Sequence, residues 1–292
     1  MSRHQHQRSS ANIQFAFWLN IIFTIIEIIG GLYTNSIAIL SDALHDLGDS
    51  VSLGLSWFLE NYSSKKRDNR YTYGYARFSL LSAFINGVLL IVGSVFILSE
   101  AIPRLIKPEL PDVKGMILLA ILGVVFNGLA VFRLKKGNTQ NEKVVTWHLM
   151  EDVLGWVAVL IGAIIMLIAH LPIIDAIISV IFTLFILFNV VKNFNQTIRI
   201  FLQAKPEGID LDQIESKIVM LEHVNSVHDL HLWSMDGANS VLTVHIVVDD
   251  IVDNHRVMKI KNEVRQLCHE LNVNHITVEV EYDSENCELE NC

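Results

Sequence analysis

Charge is scarce in this chain, and its scarcity comes in long runs. Of 292 residues only 18% are Asp, Glu, Lys or Arg, against 51% hydrophobic, and the mean hydropathy is positive. That balance excludes disorder and is too apolar for one soluble domain of this length, so most of the chain belongs in a bilayer. Cysteine is rarer still: Cys268, Cys287 and Cys292 all fall near the carboxyl end, which gives no disulfide framework and points to a reduced compartment. Tandem repeats and low-complexity tracts are absent, and so is a cleavable signal peptide, because the first apolar stretch is a full span rather than a short core. Positive charge is lacking where nucleic acid would need it: residues 206–292 carry 5 Lys/Arg against 18 Asp/Glu, whereas residues 1–205 carry 17 against 13. Phosphate backbones need clustered cations, so no nucleic acid is expected as partner and metal cations are the better guess.

What is there is a series of apolar segments at 12–34, 37–60, 77–101, 113–134, 143–169 and 172–195, each near the ~20 residues a helix needs to span. Six membrane helices are expected, the second and fifth interrupted by charge and so lowest in hydropathy. Lys65, Lys66, Arg67, Arg70, Arg77, Arg133, Lys135, Lys136, Lys143, Lys192, Arg199 and Lys205 join Arg3 and Arg8 on one side. Only Arg104, Lys107 and Lys114 lie on the other, so both termini are expected in the cytoplasm. The organisation expected is a polar leader over 1–11, a membrane-embedded part over 12–205 and a small soluble domain over 206–292. In that last part, helices over 211–222 and 254–271 and strands over 224–233, 240–248 and 275–282 give the order αββαβ, a compact α+β fold with helices on one face. Asp249, Asp250, Asp253 and Asn254 supply turn chemistry and a helix start.

Two spans carry ionisable groups in one pattern. The second reads His45-Asp46-Leu47-Gly48-Asp49 and the fifth His148-Leu149-Met150-Glu151-Asp152, each a His followed four residues on by an Asp. Residues four apart share a helix face, so each span offers one imidazole and one carboxylate in the same direction. His45, Asp49, His148 and Asp152 together suit tetrahedral Zn²⁺ better than Mg²⁺ or Ca²⁺, which favour all-oxygen sites. Carboxylates at bilayer depth cost at least ~2.5 kcal/mol each and need neutralising. One divalent cation or two protons does so, and the two compete because ligands shed protons to bind metal. Asp42, three residues before His45, is placed to hydrogen-bond its imidazole from behind or to guide ions inward, while Asp46 points about 100° away, toward a packed neighbour.

These elements, with Asn20, Phe23, Glu27, Gly30 and Gly31 leading into Asn35-Ser36-Ile37-Ala38-Ile39-Leu40-Ser41-Asp42-Ala43-Leu44-His45, resemble the cation diffusion facilitator family of zinc and cadmium efflux transporters. Tyr71-Thr72-Tyr73-Gly74-Tyr75-Ala76-Arg77, Asn86-Gly87, Glu100-Ala101 and Asp175 also fall where the family pattern expects them. The resemblance covers nearly the whole chain. It implies a homodimer, six helices, a ferredoxin-like cytoplasmic domain and zinc export coupled to proton entry through His45, Asp49, His148 and Asp152. His at both first positions favours Zn²⁺, with Cd²⁺ or Co²⁺ tolerated; relatives with Asp there often use iron or manganese, which makes Fe²⁺ or Mn²⁺ efflux the alternative. Some relatives bind a second metal after span two with an Asp and two His; Asp68 is present here, but Tyr71 and Tyr75 replace the imidazoles and the site is expected to be absent. The Lys135–Lys143 loop lacks the His-rich insertion of many eukaryotic relatives, which favours a bacterial inner membrane.

Matching the family's cytoplasmic metal site points to His228, His245 and His255 with Glu279 and Glu281, the last two sharing a strand face; Asp283 replaces either if the register slips. His231 and Trp233 are expected to face away from His228. Cys287 and Cys292 are further candidates that could capture Zn²⁺, whereas Cys268 is expected to pack. A metal site there would act as a cytoplasmic regulator. The rival classes are a membrane metalloenzyme and a metal sensor without transport. HExxH does not occur, two intramembrane His are too few for a desaturase, and a pure sensor leaves the intramembrane acids unexplained.

Overall fold

The computed structural model describes residues 3–63, 65–134, 140–285 and Cys287. Six long helices come first: α1 (Arg3–Thr34), α2 (Ile37–Ser63), α3 (Phe78–Ile106), α4 (Val113–Leu134), α5 (Gln140–Ala169) and α6 (Ile173–Phe201). Then follow α7 (Leu211–Val219), β1 (Val224–Ser234), β2 (Ser240–Val248), α8 (Asn254–Glu270) and β3 (His275–Tyr282). Every expected span has its helix. The polar leader continues α1 back to Arg3, and α3 and α6 run on past their apolar stretches. Five of the six, α1 and α3 to α6, are long and apolar enough to cross a membrane. Helix α2 falls short because Asp42, Asp46 and Asp49 stand in its middle. The expectation that α5 would join it is not met, since the polar groups of α5 crowd near its start and 146–169 is as apolar as any span.

Packing divides the chain into two units, Met1–Phe58 with Ser82–Phe194 and Leu59–Leu81 with Asn195–Cys292. In the first unit Phe23, Ala38, Ile39, Met116, Ala120, Trp156, Val159 and Ala163 form the main buried cluster. The Phe23 ring stacks on Phe126 at 5.2 Å and meets Trp156 edge-on at 5.4 Å. Gly123 makes room for that indole: a β-carbon there would lie 2.2 Å from Trp156 Cδ2, so α4 and α5 approach as they do only without a side chain at this position. Trp18, Ile22, Ile25 and Ile29 on α1, and Leu118, Ile121, Val125 and Leu129 on α4, are exposed, the face that hydrocarbon would cover.

The start of α2 is fixed from α6. Asp175 accepts hydrogen bonds from Ser36 Oγ (2.6 Å), Ile37 N (2.9 Å) and Ala38 N (3.3 Å), while Ser36 Oγ accepts from Ile39 N at 3.2 Å. These acceptors satisfy amides that the first helical turn leaves without intrahelical partners.

In the second unit β2 lies between β1 and β3, antiparallel to the first and parallel to the second, with α8 as the crossover. Ile214 and Ile218 of α7, Leu242, Val244, Ile246 and Val248 of β2, and Ile260, Val264 and Cys268 of α8 share one core. The period-two alternation of β2 and the three-four spacing of α8 put these residues on one side. Asp210 caps α7 and Asp253 caps α8, the latter accepting from Arg256 N at 2.8 Å. Cys268 is fully buried, and burial pushes its thiol up to about 11, so it packs rather than reacts.

Candidate metal centres

Helices α2 and α5 bring their paired ligands together. His45 and Asp49, one turn apart on α2, have Nε2 and Oδ2 at 3.6 Å; His148 and Asp152 on α5 have Nε2 and Oδ2 at 3.9 Å. Across the helices His148 Nε2 lies 2.8 Å from Asp49 Oδ2, and the two imidazoles meet edge-on at 5.8 Å. One ligand atom each from His45, Asp49 and His148 lie within 4.8 Å of one another. Asp152 stands beside this trio, outside the mutual group, and is 5% exposed against 23% for Asp49 and 36% for His148. Two ligands each about 2.0–2.1 Å from a tetrahedral Zn²⁺ sit about 3.3 Å apart. The His45–Asp49 spacing is close to that value, whereas His148 and Asp49 are at hydrogen-bonding distance and must part slightly to share a metal.

Further acids crowd the same region. Glu27 on α1 and Asp46 on α2 are 0% and 1% exposed, and the Asp46 carboxylate has no hydrogen-bond partner among the described residues. Sequence reading placed Asp46 against a neighbour without recognising that it is buried as an acid, and took Glu27 only as a family marker. The signal for Glu27 was available: one acid in the middle of an apolar span is costly unless neutralised. Asp42 is buried and faces α5 at Gly155, where a β-carbon would be 3.8 Å from its Oδ1. Of the two roles expected of Asp42, the hydrogen bond to His45 is not formed: His45 Nδ1 is buried without a partner among the described residues.

The second centre lies on the sheet of the second unit. His228 on β1 and His245 on β2 are register partners with rings 5.2 Å apart. Glu281 on β3 reaches both, with Oε1 2.6 Å from His245 Nδ1 and Oε2 3.4 Å from His228 Nε2. Cys287 Sγ lies 3.7 Å from His245 Nδ1, and these four residues offer ligand atoms all within 4.8 Å. Sulfur and nitrogen on a tetrahedral zinc are about 3.5 Å apart, so this set fits a closed Zn²⁺ site. His228 Nε2 is buried without a hydrogen-bond partner among the described residues, an orphan that a metal would satisfy. Within the chain His255, exposed in the first turn of α8, and Glu279, exposed on β3, are not brought into the group. Asp283 is held elsewhere, accepting from Asn225 Nδ2 at 2.7 Å. Cys292 lies outside the described residues.

Asp229 stands beside this centre, outside the ligand group, and sequence reading missed it. The strand register shifts between His228 and His231, and Asp229 takes a φ of 48° there. Its carboxylate meets His231 Nε2 at 2.7 Å and His245 Nε2 at 3.7 Å, the side of the ring away from Glu281. A carboxylate behind a ligating imidazole fixes which ring nitrogen keeps the proton.

The loop after α2 closes on itself without imidazoles. Asp68 accepts from Arg70 N (2.8 Å), Tyr71 N (2.9 Å) and Tyr75 Oη (2.6 Å). The Tyr75 hydroxyl, with those two amides, holds the Asp68 carboxyl below its usual range, and the same contact pushes the Tyr75 phenol up. Arg77 donates from Nε to the Met235 carbonyl at 3.2 Å.

Two family models match the chain: the cation efflux transmembrane domain over residues 13–202 and the cation efflux protein cytoplasmic domain over 206–283. Among similar proteins, the cadmium, cobalt and zinc/H(+)-K(+) antiporter of Bacillus subtilis is 35% identical over 90% of this chain and 86% of its own length. The metal cation efflux system protein CzcD of Cupriavidus metallidurans is 32% identical over 95% and 89%. Zinc transporter ZitB of Yersinia pseudotuberculosis is 30% identical over 97% and 91%. A solved metal-bound C-terminal domain of a CzcD transporter is 34% identical and covers 25% of this chain and 99% of its own, with a TM-score of 0.23.

Proposed function

The chain belongs to the cation efflux family, and on that premise we propose that it carries Zn²⁺ out of the cytoplasm in exchange for protons, with His45, Asp49, His148 and Asp152 as the transport ligands. Relatives named for cadmium, cobalt and zinc support Cd²⁺ and Co²⁺ as further cargo. The observation that carries the proton coupling is the 2.8 Å contact between His148 Nε2 and Asp49 Oδ2. A carboxylate oxygen that close calls for a proton on Nε2, and a metal needs that same lone pair, so proton and zinc exclude one another there. Loading therefore breaks the contact and expels protons; protons arriving from the far side restore it and release the metal.

The His228, His245, Glu281 and Cys287 group is a resident zinc centre on this reading, and its occupancy reports cytoplasmic zinc to a homodimer. The protein works in an inner membrane with both termini in the cytoplasm. Proteoliposomes holding a zinc-sensitive dye and given a pH step test the transport claim. Zinc flux is expected in the native protein and lost in Asp49→Ala and Asp152→Ala, with a matching counterflow of protons. Normal flux in those variants, or flux without proton movement, overturns it. Turnover of a substrate without flux would place the chain among metalloenzymes instead.

A further inference from the structure

We infer that the second unit holds the phosphate of an anionic phospholipid in the cavity between the loop that follows α2 and the first residues of β2 and β3. The cavity measures about 780 Å³, and Lys65, Lys66 and Arg67 line one wall with Ser240, Asn274 and His275 on another. Among the described residues no Asp or Glu lines it, although residues 206–292 carry 18 acidic residues against 5 basic. A carboxylate-free cavity in the most acidic part of the chain, walled by three cations, is complementary to an anion.

The cations sit on a built frame rather than on a loose loop. Asp68 ties the backbone at Arg70 and Tyr71 and the Tyr75 hydroxyl, and Gly74, at φ +83°, returns its N–H to the Tyr71 carbonyl at 2.9 Å. Only glycine takes that φ without strain, so the chain turns there and presents 65–67 to the cavity. The Lys65 ammonium lies 4.0 Å above the Tyr62 ring. Lys66 and Arg67 are exposed and make no ion pair among the described residues.

Position selects a lipid over a soluble anion. The three cations follow the last residue of α2, Ser63, almost directly, and Tyr62 in its final turn is exposed at 39%. An exposed tyrosine at a helix end with Lys and Arg just beyond marks the level of the headgroups, where the phosphate of an anionic lipid is abundant and its chains have hydrocarbon to lie in. A headgroup held there steadies the carboxyl end of α2, the helix that carries His45 and Asp49.

Native mass spectrometry of the full-length protein in detergent, titrated with phosphatidylglycerol, tests this. One tightly held phosphatidylglycerol per chain is expected, with phosphatidylcholine not retained. The combined variant Lys65→Gln, Lys66→Gln and Arg67→Gln is expected to bind it about 100-fold more weakly, three neutralised cations near a membrane surface being removed. The charge-keeping variant Lys65→Arg, Lys66→Arg and Arg67→Lys should keep the lipid, which separates loss of charge from misfolding or reversed insertion. Equal retention in the neutral variant, equal retention of phosphatidylcholine, or loss in the charge-keeping variant overturns the inference. Displacement of the lipid by millimolar inorganic phosphate overturns it too, assigning the cavity to a soluble anion.

Discussion

At the scale of single residues, Asp229 and Asp68 do the same work in different surroundings: each is a carboxylate that fixes the direction of a neighbour. Asp229 stands behind His245, its Oδ2 3.7 Å from Nε2 on the side of the ring away from Glu281, where it would face the proton left on Nε2 once zinc takes Nδ1. Asp229→Asn is therefore expected to weaken Zn²⁺ at that centre by about 10–100-fold, the usual cost of losing such a partner. Chelator competition on the purified protein, in an Asp49→Ala background that removes one of the proposed transport ligands, measures it; an unchanged affinity refutes a role for Asp229 at the centre. Asp68 orders its loop through three hydrogen bonds. Because its pKa is lowered in the fold, its contribution is complete above the ordinary carboxylate value of about 3.9 and disappears as pH falls through the lower folded value. The raised Tyr75 phenol sets the other limit, its donor being lost only as pH rises beyond the ordinary tyrosine value of about 10. Slow hydrogen exchange at the Arg70 and Tyr71 amides is expected across neutral pH, and fast exchange in Asp68→Asn; equal protection in that variant refutes the assignment.

Elements are held by contacts that cross them, and here the sequence was an uneven guide. Asp175 of α6 caps α2, so Asp175→Ala leaves the amides of Ile37 and Ala38 and the Ser36 hydroxyl without an acceptor. The expected loss is about 1–3 kcal/mol, read as a fall in thermal midpoint with zinc affinity at the cytoplasmic centre unchanged. Gly123→Ala should cost about as much, because the added methyl meets Trp156 and the closely set α4 and α5 must part. The paired His and Asp of α2 and α5 were legible because a four-residue spacing on a helix fixes a shared face whatever surrounds it. The strands were legible to within a residue because apolar alternation defines them. Asp229 was not legible, since a register shift interrupts the alternation from which strand faces are read. Nor was the separation of His255 from His228 and His245, because spacing says nothing about which side of a folded sheet a helix start occupies. Cys287 entered the centre although it lies beyond the last strand: a short tail can fold back over a strand end, and no periodicity announces it.

For the whole molecule the controlling quantity is charge within low dielectric. Asp49 and Asp152, with Asp42, Asp46 and Glu27 close by, place five carboxyl groups in the helical unit, four of them 9% exposed or less. Ionised together they would repel one another and forfeit their hydration, so each state of the transport cycle must carry compensating cations. If one Zn²⁺ leaves as two protons enter, the cage keeps the same net charge at both ends of the cycle and no charge moves across the membrane. Zinc exchange in proteoliposomes is then expected to follow the pH gradient and to ignore an imposed potential. One proton per zinc would move a net charge instead, worth about 2.3 kcal/mol for each 100 mV, and the zinc gradient reached at equilibrium would change by about fifty-fold under that potential. Clamping the potential with potassium and valinomycin while holding the pH step fixed separates the two. An equilibrium zinc gradient independent of potential supports the two-proton cage formed by His45, Asp49, His148 and Asp152, and a steep dependence refutes it.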